Sequence, residues 1–327
     1  MKAAGAAAPV LAAFAAFRAH YVDAEDYAEV SWEATGVARR SRIAVINAAG
    51  VINSGSSGFD PVNGAVIGAD SLVEYIREAR ADRSIRAIVL RVDSPGGSST
   101  ASDVIWRELS ISRDNQRPVI VSMSDLAASG GYYIALGGDA IVAQPGTLTG
   151  SIGVYTGKFV TTGTLEKLGA NIESTSDGKH AEIYSPDRKF TPEERKKIQE
   201  SMQLVYDQFI ERTAAARHMP PEKVDEVAQG RVWTGAQALQ RGLVDQMGSL
   251  RDAVAYAAKD AKLGNDYAVR YIEPPLNPLQ RFFLGVGDSA SARVLTSLGV
   301  QVPKSWLQNA RAGKPVEYAY CFCRLQP

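Results

Sequence analysis

Cysteine is nearly absent: the two that occur, Cys321 and Cys323, stand two residues apart at the far end of the chain. A disulfide over that spacing is strained, and the spacing is not that of a CxxC redox or zinc motif. Excess charge of either sign is missing too. Lys+Arg and Asp+Glu number 36 each, with no basic block or stripe, so nucleic acid is not an expected partner. Histidine is limited to His20, His180 and His218, and there is no HExxH and no carboxylate cluster, so neither a metal nor another cofactor is expected. No apolar run reaches the ~20 residues of a spanning helix. Ala3 to Phe17 is uncharged between Lys2 and Arg18, but it is Ala-rich and contains Gly5 and Pro9. It reads either as a targeting or anchoring segment or as an ordinary helix. No internal repeat is visible.

What is present is a globular composition: 327 residues, 45% apolar and 22% charged. Ile43–Ile46 and Val51–Ile52 read as short strands, and the Gly- and Ser-rich stretch from Asn53 to Gly68 as a loop. Asp70 is placed to cap a helix carrying Leu72, Ile76 and Ala79 on one face. Ala87–Val92 is almost wholly apolar, the signature of a strand covered on both faces. A helix with Ala101, Ile105 and Leu109 follows. The pattern then recurs: strand at Val119–Met123, small buried helix at Ser129–Leu136, strand at Ala140–Ala143. A further strand is expected at Val154–Val160 and a short helix at Thr164–Leu168. This alternation predicts an α/β fold with a largely parallel sheet. From Thr191 the texture turns helical. Thr191 and Glu194 form a capping box with Pro192 at the first helical position, and Ile198, Met202, Val205 and Phe209 share a face. A second helix is expected from Pro221 to before Gly230. A third runs from the Thr234–Gln237 box to Gly242.

Two glycine-bearing turns each close a predicted strand: Ser94-Pro95-Gly96-Gly97-Ser98 and Ala127-Ala128-Ser129-Gly130-Gly131. Either alone is ordinary turn chemistry. In parallel α/β folds, however, sites form at the carboxyl ends of adjacent strands. Acyl transfer needs a nucleophile and backbone N–H groups aimed at one point where side chains do not obstruct. Ser129 at a helix N-terminus, with amides from the Gly96-Gly97 corner and from Gly130, supplies both.

These turns, with Arg91-Val92-Asp93 before the first, Tyr132-Tyr133 after the second, Thr147-Leu148-Thr149-Gly150-Ser151-Ile152-Gly153 and Gly230-Arg231-Val232-Trp233-Thr234-Gly235, carry a resemblance to bacterial signal peptide peptidase A. That family comprises Ser/Lys peptidases of the ClpP/crotonase-like superfamily, and the likeness runs from about residue 42 to residue 262. It implies a ClpP/crotonase-like fold with a C-terminal helical region, Ser129 as nucleophile, and Gly97 with Gly130 as oxyanion hole. It divides the chain into a lead-in (1–41), a peptidase domain (42–262) and a C-terminal extension (263–327). Implied substrates are extended apolar peptides, above all residual signal peptides, with Ala127, Ala128 and Ile134 in the pocket region. The implied setting is the extracytoplasmic side of a membrane, in an oligomer.

One feature of the pattern is missing. A serine hydroxyl needs a base, and the family uses a lysine kept neutral by burial. It stands three residues after a glycine and before a Ser-Pro. In Gly178-Lys179-His180-Ala181 that slot holds Ala181. In the family's long two-domain form the serine comes from the C-terminal half and the lysine from the N-terminal half, and this chain is most like such a C-terminal half. It would then be a catalytically incomplete subunit needing a partner domain. Alternatively Lys179, two positions earlier on the same side of an extended segment, serves as the base. A histidine base is conceivable at His180, which alternates to the opposite side. A crotonase-type acyl-CoA enzyme would share the fold but needs no serine at position 129.

Overall fold

The computed structural model describes residues 41–60 and 64–272. The Ala-rich stretch, His20, the proline-rich tail and both cysteines lie outside the described residues.

The centre of the fold is a parallel sheet in the order β10-β7-β6-β5-β1-β11. Its strands are β1 (Arg42–Ala49), β5 (Ile85–Ser94), β6 (Val119–Ala128), β7 (Ala140–Ala143), β10 (Gln246–Met247) and β11 (Ala268–Ile272). Strand β8 (Leu148–Gly150) pairs parallel with the far end of β6, and β9 (Val232–Thr234) pairs antiparallel with β8. A small second sheet joins β2 (Val51–Asn53), β4 (Gly64–Gly68) and β3 (Gly58–Asp60) in that order.

Period-two alternation explains the two cores. On one face Ala44, Ile46, Ile88, Leu90 and Val92 pack with helices α1 (Ala69–Ala81), α2 (Ser99–Asp114) and α3 (Gly130–Ala135). On the other, Ile43, Val45, Ala87 and Val89 meet the alanines Ala253, Ala257 and Ala258 of α8 (Leu250–Asp260). This double cover is why the β5 sequence lacks polar alternation. Each fully buried aliphatic chain there contributes roughly 1.5–3 kcal/mol of transfer free energy. The remaining helices are α4 (Thr162–Lys167), α5 (Pro192–Arg217), α6 (Pro221–Val227) and α7 (Gly235–Gln240).

The α/β expectation with a largely parallel sheet and a C-terminal helical region holds, as do the capping boxes at Thr191 and Thr234. Four local readings are corrected. The Asn53–Gly68 loop contains β3 and β4. The N-cap of α1 is Gly68 rather than Asp70, whose carboxylate sits in the first turn. Val154–Val160 forms no strand, because nothing among the described residues pairs with it; Tyr155 and Phe159 are 94% and 91% exposed. Residues 178–184 are a run of turns, not an extended segment, so alternation says nothing about Lys179 and His180. In addition, residues 268–272, assigned from sequence to the extension, pair with β1, and the compact unit runs to Ile272.

The start of α5 is electrostatically locked. Glu194, nearly buried, accepts two bonds of 2.7 Å from Arg188 and one of 2.8 Å from the Thr191 amide. These partners pull its carboxyl down to about 2. An unfolded glutamate titrates near ~4.3, so this contribution is complete above that pH and is lost as pH falls through the folded value. The urea midpoint is expected to fall between about pH 5 and about pH 2, and Glu194→Gln should flatten that part of the curve.

Candidate active site

Strand β5 ends at Ser94, whose buried hydroxyl accepts the Gly96 amide at 3.1 Å. The turn needs glycine at position 96, where φ is +104°. Strand β2 then clamps the corner: Ile52 donates to the Gly96 carbonyl and the Ser98 amide donates to the Ile52 carbonyl, both at 2.8 Å. Ser98 caps α2 through a 3.3 Å bond from the Ala101 amide.

Next to it β6 ends in register, Ser94 opposite Ala127, and the chain turns at Ser129. Ser129 is half-buried and adopts φ 52°, ψ −120°, a strained conformation for a non-glycine residue. Its amide donates to the Gly150 carbonyl at 2.9 Å and its carbonyl accepts from the Tyr133 amide at 2.8 Å. The two corners touch. A β-carbon built on Gly96 would lie 2.6 Å from the Gly130 nitrogen and 2.8 Å from the Ser129 Cβ; one on Gly130 would lie 3.1 Å from the Gly97 nitrogen. Among the described residues neither the Gly97 nor the Gly130 amide has an acceptor. A hydroxyl at a helix N-terminus therefore stands beside two unengaged N–H groups, an arrangement able to attack an acyl carbon and hold the resulting oxyanion.

The other two sequence blocks support this corner from behind. Gly150 lies on β8 opposite Ala128, and the Thr149 hydroxyl donates to the Ala127 carbonyl at 2.7 Å. Ser151 and Gly230 bond across to Arg231 and Ile152, and Trp233 packs over Gly150 while donating to the Val227 carbonyl at 2.9 Å. Beyond Ile152 an open groove of about 480 Å³ is lined by Gly153, Val154, Met202, Gln203, Tyr206 and Gly230, among others, none of these six charged at neutral pH. Ala127 and Ile134, expected near a pocket, are fully buried in the core, and Ala128 is nearly so.

Lys179 lies in the turn run of residues 178–184. Its side chain is 69% exposed and pairs with Glu193 at 2.5 Å. Among the described residues no lysine or histidine is hydrogen-bonded to Ser129. His180 lies in the turn run with a buried, unpartnered Nδ1, and His218 ends α5 in a left-handed conformation. No group of three or more metal-ligating side chains occurs among the described residues. Sequence reasoning assigned no role to Gly150, Ser102 or Asp103; position within a matched block was the sole signal for Gly150, and there was none for the other two.

Residues 111–264 match Peptidase family S49. A protein named as a protease in Synechocystis sp. is 36% identical over 280 residues, covering 85% of this chain and 95% of that one. The chain belongs to Peptidase family S49. Within that family it is 42% identical over 272 residues to the chloroplastic serine protease SPPA of Arabidopsis thaliana, covering 82% of this chain and 40% of the relative. It is 43% identical over 233 residues to Protease 4 of Salmonella typhi, covering 71% and 37%. The chain thus spans about two-fifths of the length of these two S49 relatives. No helix among the described residues is long and apolar enough to cross a membrane.

Proposed function

We propose that this chain is the serine-bearing half of an S49 endopeptidase. Ser129 is the nucleophile, and the Gly97 and Gly130 amides form the oxyanion hole. The observation that carries this reading is the strained Ser129 turn set against two unengaged amides. The substrates are extended apolar peptides, residual signal peptides foremost, the class implied by the resemblance that the Ser129 and Gly97 blocks carry. The setting is the extracytoplasmic face of a membrane, a reading supported by the uncharged Ala3 to Phe17 run.

The general base comes from a lysine on a homologous domain, in a longer chain or in an oligomer. Two observations support this. Ala181 occupies the family's lysine slot, and Lys179 is solvent-exposed and ion-paired with Glu193.

The test is labelling of Ser129 by a fluorophosphonate. The purified chain alone should label slowly, and addition of a lysine-bearing homologous domain should accelerate it. Full labelling of the chain alone, abolished by Lys179→Ala, would assign the base to Lys179 instead. Absence of labelling in every combination, or turnover of an acyl-CoA thioester with peptides left intact, would overturn the peptidase reading.

A further inference from the structure

Helices α2 and α3 begin at the two corners just described: Ser98 caps one and Ser129 heads the other. The relative placement of their first residues therefore sets the spacing between the Gly97 and Gly130 amides. The strands hold the corners as well, with Ile52 clamping the first, Gly150 holding the second and Ser94 pairing with Ala127, and the helices add a further tie between them.

One residue is bonded to both sides. Tyr133 lies one turn into α3, and its amide donates to the Ser129 carbonyl. Its hydroxyl crosses to α2 and donates to Asp103 Oδ1 at 2.6 Å. The same oxygen accepts from Gln208 of α5 at 3.0 Å. The guanidinium of Arg212, also on α5, comes within 3.9 Å of Asp103 while lying 3.7 Å above the Trp106 ring. The Tyr133 ring is wedged edge-on between Trp106 and Phe209, at centroid distances of 6.4 and 5.0 Å. Orientation of the carboxylate is thus enforced from two neighbouring helices, α3 and α5. Burial and Asp103 push the Tyr133 hydroxyl above its ordinary pKa.

We propose that the Tyr133–Asp103 hydrogen bond is a strut that fixes the distance between the two oxyanion-hole amides, which makes Tyr133 and Asp103 positioning residues. The proposal rests on the serine peptidase reading of Ser129. Asp103 lies five residues after Ser98, about 7.5 Å along the helix axis, so a tilt at the strut is transmitted to the helix start with little attenuation. A bond from a hydroxyl to a carboxylate is short and directional, which apolar packing between the two helices is not. Displacement of a reacting group by ~1 Å costs up to about 100-fold in rate, so loss of the strut has a visible consequence.

The experiment compares Tyr133→Phe, Asp103→Ala and Asp103→Asn in whichever assembly labels with fluorophosphonate. Tyr133→Phe keeps the ring and the backbone amide. It should lower kcat and the labelling rate about tenfold with KM nearly constant, because the oxyanion is held in the transition state and not in the ground state. Asp103→Ala should match it, Asp103→Asn should lose less, and the Tyr133→Phe/Asp103→Ala pair should be no worse than either alone. The amide resonances of Gly97 and Gly130, followed in glycine-labelled protein, should shift in Tyr133→Phe and Asp103→Ala; this readout needs no turnover. A folded Tyr133→Phe protein with both resonances in place would overturn the strut even if the chain alone proved inactive. Failure of Ser129 to label in any assembly would instead count against the peptidase reading.

Discussion

Ser129→Ala should abolish peptide cleavage, reducing kcat/KM by about 10⁴-fold or more, while leaving the fold intact. The argument has two parts. The chemistry requires an oxygen that can form and release an acyl bond, and no other hydroxyl is positioned at the Gly97–Gly130 amides by the same geometry: Ser102 is fully buried and bonded to the Ser98 carbonyl at 2.8 Å, and Ser94 is fully buried beneath the Gly96 amide. The fold, in turn, does not depend on the Ser129 hydroxyl, which has no hydrogen-bond partner among the described residues; the backbone amide and carbonyl do the structural work through Gly150 and Tyr133. Thermal unfolding of Ser129→Ala should therefore sit within a few degrees of the parent, by roughly the ±0.5 kcal/mol of a substitution that removes no buried contact. Ser129→Gly is the sharper companion. Glycine suits φ 52° without strain, so this variant should unfold no earlier than the parent and be equally inactive. Substantial cleavage by either variant, measured on an extended apolar peptide in the assembly that labels with fluorophosphonate, would remove Ser129 from the mechanism.

The parts of this site that could be read from sequence are those governed by local rules. Buried strands announce themselves by uninterrupted apolar runs, as in Ala87–Val92, and glycines at their ends mark turns that side chains would block. The capping boxes at Thr191 and Thr234 are local for the same reason. Long-range relations were not legible. Nothing in the composition of Asn53–Gly68 indicates that Ile52 will bond to Gly96 and Ser98, or that β4 will form beside β2. Val154–Val160 has strand-like residues but no neighbour to pair with, and pairing is a property of the sheet and not of the segment. Strand β11 was missed for the converse reason: its Ala-Val-Arg-Tyr-Ile alternates weakly and gains its state from the free edge of β1. The link from Asp103 to Tyr133 spans 30 positions and two helices, and no periodicity encodes it. The missing base belongs to the same class. Ala181 in the lysine slot is visible in one chain, but the residue that compensates for it is a matter of assembly.

Replacing Gly130 by alanine should also cost much of the activity, though less than removing the serine, and for a reason that can be reversed in part. The added methyl would stand 2.6 Å from the Ser102 Oγ, 3.1 Å from the Gly97 nitrogen and 3.2 Å from the Gly96 Cα. The first distance is a clash, and Ser102 has nowhere to go: it is fully buried and its hydroxyl is committed to the Ser98 carbonyl. The strain is relieved only by opening the gap between the corners, which moves one amide off the oxyanion. Loss of one such donor costs about 10²–10³ in kcat, or about 2.7–4 kcal/mol of transition-state stabilisation. Substrate affinity should change much less, because the hole engages the tetrahedral oxyanion and not the planar carbonyl. Ser102→Ala removes the obstructing oxygen for the loss of one hydrogen bond worth about 1 kcal/mol. The Gly130→Ala/Ser102→Ala double variant should therefore recover part of the kcat lost in Gly130→Ala, although it carries one more substitution. Recovery in kcat with KM unmoved would tie the defect to the spacing of the two amides. A Gly130→Ala protein that cleaves at the parental rate would mean that the Gly130 amide does not receive the developing charge, and that the acyl oxygen is held elsewhere around Ser129.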